Sequence, residues 1–130
     1  MTNFKTLFLF VFVLSGCGAT ESINSTKWAV LEPISVLKER LSLWKGYDTK
    51  QLSYQIGPPT ETLKDESGKN VLVYLKQIYS PGNKEVWHCK VSFTINDADE
   101  IIDTRLLSRK ENAWGSYMPC VHIIKRPIGA

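Results

Sequence analysis

Histidine is scarce in this chain of 130 residues, which holds two, and cysteine is nearly so, with three. The pieces from which metal sites and nucleophilic triads are assembled are therefore few. No Gly-x-Ser-x-Gly elbow, His-Glu-x-x-His helix or Gly-x-x-x-x-Gly-Lys-Ser/Thr loop occurs, and Ser116 has no histidine in a motif-like relation to it. An enzyme needs a nucleophile, a base and a stabilising group that converge, or a metal, and the sequence offers no such set. A non-enzymatic protein without cofactor or metal is the expectation. Internal repeats and low-complexity segments are also lacking. Charge of one sign is not in excess: 16 Lys+Arg stand against 13 Asp+Glu, a formal net charge of +3, and the basic residues are scattered. That balance argues against nucleic acid as a partner.

The one long apolar run, residues 6–14, is too short to cross a bilayer, and it follows a weakly positive start made of Lys5 and the amino terminus. Leu14-Ser15-Gly16-Cys17 comes directly after it and resembles the lipobox that ends a bacterial lipoprotein signal peptide. The resemblance implies that residues 1–16 are removed and that Cys17 carries the lipid, with residues 17–27 as lipidated cysteine and polar tether. Several acyl chains, at about 0.8 kcal/mol per buried CH₂, would make release from the membrane very slow. Gly18 stands where an aspartate would favour retention in the inner membrane of many Gram-negative bacteria. The expected address is the periplasmic face of the outer membrane.

Residues 28–130 are then read as a single domain, long enough for one small core. An exported chain meets an oxidising environment, so Cys89 and Cys120 are expected to pair. The alternative is a metal site, since His88 adjoins Cys89 and His122 lies two residues after Cys120. Adjacent strand residues point to opposite faces, which separates His88 from Cys89 and disfavours zinc. Asp97, Asp99 and Asp103 match a calcium loop only in part, and a hairpin turn is the preferred reading.

Periodicity divides the domain in two. Glu32-Pro33 suits a helix start with proline at the first helical position, and Ile34, Leu37, Leu41 and Trp44 recur at helical spacing up to Lys45-Gly46. Asp48 with Gln51 resembles a capping box. Leu52 and Ile56 supply apolar contacts, and Gly57-Pro58-Pro59 ends a second helix of about two turns. Beyond the prolines the period becomes two. After a turn at residues 65–69, Val71, Val73 and Leu75 share one face, with Leu72, Tyr74 and Ile78 on the other. Ser80-Pro81-Gly82-Asn83 turns the chain. Trp87, Cys89, Val91, Phe93 and Ile95 then alternate with polar residues in a one-sided strand whose apolar face must meet the helices. Residues 96–100 turn into a last strand, 101–107.

Gly46-Tyr47-Asp48-Thr49-Lys50-Gln51-Leu52, followed by Ile56-Gly57-Pro58-Pro59, resembles the helix motif of the SmpA/OmlA (BamE-like) group of outer-membrane lipoproteins. The order of helix, helix and strands behind a lipobox is similar too. The resemblance implies an α+β fold, with two N-terminal helices packed on an antiparallel sheet of three or four strands. It carries no binding residue onto this chain, which differs in Cys89, Cys120 and the long tail after Leu107.

In that tail Trp114, Tyr117 and Met118 sit among charged residues that include Arg109, in a segment Cys120 would tie down. Aromatic residues on a constrained loop suit a protein interface, and these four residues are the candidate partner-binding set. Trp114 packed on the sheet edge as core is the equal alternative. The expected function is a lipid-anchored accessory or scaffold subunit of an envelope complex, in outer-membrane assembly or secretion. The competing reading is an independent binder, such as an inhibitor of a lysozyme or protease or a phage-exclusion factor.

Overall fold

A computed structural model describes residues 31–112 and 117–130. Cys17, Trp28 and Trp114 lie outside the described residues, as do the stretches expected to be leader and tether. The chain runs through helices α1 (Ile34–Ser42) and α2 (Thr49–Ile56), strands β1 (Glu61–Lys64), β2 (Asn70–Tyr79), β3 (Val86–Ile95) and β4 (Ile101–Lys110), and a single-turn helix α3 (Cys120–Ile123). The four strands form one antiparallel sheet in the order β1-β2-β3-β4. The architecture is therefore α+β with a four-stranded sheet and one disulfide, Cys89 to Cys120.

Local chemistry sets the helix limits. Pro33 is the N-cap of α1 and not its first helical residue, because its carbonyl already accepts from Val36 and Leu37 N–H at 3.0 and 3.2 Å. Residues 43–46 leave the helix as turns, so α1 is shorter than the apolar spacing suggests. Asp48 caps α2 by accepting from Gln51 N–H at 2.9 Å. The reciprocal half of a capping box is not made; the Gln51 amide donates to Gln55 and to the Ile128 carbonyl. Gly57 closes α2 at φ 102° and ψ −171°, a backbone region open essentially to glycine.

The sheet has two unlike faces. Leu72 and Tyr74 of β2, Cys89, Val91, Phe93 and Ile95 of β3, and Ile101 of β4 join Leu37, Leu41, Trp44 and Leu52 of the helical layer in the core. Trp44 is fully buried, edge-on to Phe93 at 6.2 Å. Its Nε1–H donates to the Lys125 carbonyl at 2.7 Å, so burial leaves no unpaired donor.

Three elements were not foreseen from the pattern. β1 is four exposed residues with no alternation of its own. It exists because Thr60 anchors it, donating N–H to Val73 carbonyl at 2.7 Å, and because Asp65 closes the hairpin by accepting from Ser67 and Lys69 N–H, each at 2.9 Å. β4 continues past Leu107 to Lys110, opposite His88. Finally α3 and the C-terminal residues run back under the helices: Arg40 donates to Ile124 carbonyl, and Gln55 exchanges bonds with Arg126 carbonyl and Ile128 N–H. The residues 96–100 form a hairpin turn, with Asn96 Oδ1 accepting from Ala98 and Glu100 N–H at 2.9 Å each.

Candidate interaction surfaces

The disulfide loop is built around a buried ion pair. Arg109 lies opposite Cys89 on β3, and its Nε donates to Glu111 Oε1 at 2.7 Å. The other carboxylate oxygen of Glu111 accepts from Cys120 N–H. The two side chains keep only 14% and 2% of their exposure, so the pair clamps the end of β4 to the start of α3 from inside. Arg109 thus acts as an internal strut between β4 and α3. Its Nη2, like Trp87 Nε1, is buried without a hydrogen-bond partner among the described residues.

Tyr117 and Met118 are half-buried beside this clamp. The Tyr117 ring lies 6.1 Å from that of Trp87, tilted by 32°, while Lys110 Nζ sits 5.3 Å from the Trp87 ring centroid. Trp87 therefore joins the sequence-predicted set as its platform. The sequence signal for it was the strand alternation, which assigned the residue to the core face without revealing what would cover it. Cys89 and Cys120 are brought together, whereas His88 pairs across the sheet with Gln77 and Lys110. Among the described residues no cluster of His, Cys, Asp or Glu is arranged to hold a metal ion, and no helix is long and apolar enough to cross a membrane.

A second surface is larger. Among the described residues no helix lies over the sheet face opposite the core, and that face is not polar. It holds an open hollow of about 430 Å³, with Leu63 of β1, Val71 and Val73 of β2, and Ile102 and Leu107 of β4 as its apolar lining. Val73 and Ser92 form its floor and are only 2% and 4% exposed. Leu63, Ile102 and Leu107 rise around them at 48%, 39% and 47% exposure. Lys69 and Arg105, with Asp65 and Asp103, edge the hollow. Its electrostatics are mixed: Asp103 accepts from Arg105 Nε at 3.0 Å, and Asp65 is held below its ordinary value first by the Ser67 hydroxyl and then by Lys69 N–H.

The origin of this face lies in two β-bulges. The β3–β4 register slips between Lys90 and Val91 and again between Thr94 and Ile95, leaving Leu107 and Ile102 as the extra residues. Each belongs to an apolar doublet, Ile101-Ile102 and Leu106-Leu107. A regular strand would place one member of each doublet in water at no structural gain. With the bulges, Ile101 and Leu106 pack on the core while Ile102 and Leu107 line the hollow. The doublets were the available sequence signal for this surface.

Comparison with protein-family models, curated proteins and solved structures finds no match to this chain. Function is accordingly argued from the surfaces themselves.

Proposed function

We propose that this protein is a lipid-anchored accessory or scaffold subunit of a cell-envelope complex, in outer-membrane assembly or secretion, that acts by binding protein. Cys17 is the membrane anchor and the outer membrane's periplasmic face the address. The fold reading is the SmpA/OmlA-like one, and the activity is non-enzymatic. The observation that carries the proposal is the apolar hollow on the uncovered sheet face. Contiguous exposed apolar surface with a polar border is the usual mark of a protein-binding site, and an antiparallel sheet facing only water would instead carry polar residues. Tyr117, Met118 and Trp114 belong to the same proposal as a second contact region beside the disulfide, with the buried Arg109 as a support and not a contact.

The test joins anchor to face. Cys17→Ser should abolish incorporation of a fatty-acid analogue, because no other residue would offer the thiol; label retained on that variant rejects the anchor. A photo-crosslinking residue at position 107 in cells should then capture an envelope protein in stoichiometric yield. Leu107→Glu should lose that complex while melting at the parental temperature, since the residue is half in water already. Capture of a foreign enzyme by an otherwise free lipoprotein would favour the inhibitor reading, and an unchanged complex in Leu107→Glu would reject the hollow.

A further inference from the structure

The second groove of this fold runs between α1 and the outer edge of β4. It has a volume of about 360 Å³ and an apolar floor of Leu41 and Leu106. Its charged lining is Lys38, Lys45 and Arg105, with no carboxylate among the lining residues. Lys38 and Lys45 are exposed, seven positions apart on the same side of α1 and the turn that follows it. The Arg105 side chain retains 73% of its exposure and touches Asp103 through Nε alone.

β4 closes this side of the sheet as an edge strand. Its first residue is covered, since Gly46 N–H donates to Ile101 carbonyl and Ile101 N–H donates to Tyr47 carbonyl, both at 2.8 Å. Beyond that point every second residue of an antiparallel edge directs its N–H and C=O outward. Among the described residues no backbone bond takes up the outward side of Thr104 to Leu106. This stretch lies between the two bulges and keeps regular register with β3. The opposite edge, β1, is only four residues long and carries both Glu61 and Lys64. Short charged edges resist pairing, whereas a longer edge beside an apolar floor accepts it.

We propose that the α1–β4 groove takes an extended acidic segment of a partner protein, which adds to the sheet as a strand against Thr104 to Leu106. Carboxylates two positions apart on such a strand are about 7 Å from one another. Carboxylates at that spacing would share the side of the strand that faces Lys38 and Lys45, while the intervening residue faces the Arg105 side. Main-chain pairing supplies affinity and the two lysines select the acidic sequence, the division found where strands are added to sheet edges. This site shares Arg105 with the hollow on the uncovered face but is bounded by α1, and the two together would let one small domain bridge two partners.

The probe is a fluorescent ten-residue strand-forming peptide with glutamate at alternate positions, titrated into the purified full chain. Its counterparts carry lysine at those positions, or N-methyl groups along one backbone edge. The glutamate peptide should bind with an affinity that falls as salt rises. Lys38→Glu with Lys45→Glu should weaken it about tenfold or more, without lowering the melting temperature of these exposed positions. Equal binding of the lysine peptide would reject charge selection. Undiminished binding of the N-methyl peptide would reject strand addition, and no binding at millimolar peptide would reject the site. A concentration-dependent dimer that blocks the peptide would replace the acidic partner with a second copy of the chain.

Discussion

Removing both partners of the Arg109–Glu111 pair should cost far less than the two single removals added together. Glu111 is 2% exposed and Arg109 14%, so neither charge can find water when the other is deleted. Breaking a buried pair on one side costs about 3–5 kcal/mol, against about 0–1 kcal/mol for a pair in solvent. Glu111→Gln retains an oxygen for Cys120 N–H but leaves the guanidinium uncompensated, so a loss near 3 kcal/mol is expected. Arg109→Met leaves the carboxylate with only the Cys120 N–H, and about 2 kcal/mol is expected because that bond persists. In Arg109→Met with Glu111→Gln no charge remains buried and the amide can still accept from Cys120. That double variant should lie within about 2 kcal/mol of the parent, which gives a coupling near 3 kcal/mol. For about a hundred ordered residues the entropy of unfolding near the midpoint is about 0.2 kcal/mol per degree. The Glu111→Gln loss then corresponds to a midpoint about 15 °C lower, with the double variant recovering roughly a third of it or more. Thermal melts and urea titrations of the four oxidised proteins measure the cycle. Single losses under about 1 kcal/mol that simply add would refute the account of a desolvated clamp.

Three further outcomes are expected. Cys89→Ala with Cys120→Ala opens a loop with sequence separation 31, for which chain entropy gives about 3.7 kcal/mol; calorimetry should find the midpoint more than ten degrees lower, and a shift of only a few degrees would contradict it. Gly57→Ala should cost about 1–3 kcal/mol in urea titration through backbone strain alone, because φ is +102° while nothing lies within 4 Å of the added carbon; a neutral substitution would show that the α2 stop relaxes freely. Two side chains give pH dependence of opposite sign. The folded Asp65 value is depressed, so its contribution is full above the ordinary aspartate value and disappears as pH falls through the lowered one. Burial raises the Tyr74 phenol, partly offset by the Ser53 hydroxyl as a donor, so its contribution is full below the ordinary tyrosine value and is lost as pH rises through the raised one. Carboxyl-carbon NMR and ultraviolet titration follow the two groups, and a Tyr74 midpoint at or below that of free tyrosine would refute the burial argument.

The sequence by itself determined what depends on neighbours in the chain. Asp48 and Gly57 delimit α2 because a cap and a left-handed stop act within one turn. The period-two run from Trp87 to Ile95 commits that stretch to a one-sided strand, since alternation alone decides which side chains share a face. Chemistry restricted to three cysteines and two histidines also made the Cys89–Cys120 link legible, with His88 directed away from it. Tertiary structure decided the rest. β1 has no pattern of its own and becomes a strand only because β2 offers it an edge. Pro33 is one position outside α1, a distinction made by which carbonyl accepts the first bond. The doublets Ile101-Ile102 and Leu106-Leu107 are compatible with either face until the β3 register fixes the bulges, and with them the apolar hollow. Arg109, exposed by composition, is drawn inside by Glu111 once the disulfide returns the tail. The binding surfaces belong to this second class, because a surface exists only where distant segments meet, and local sequence rules carry no record of which segments those are.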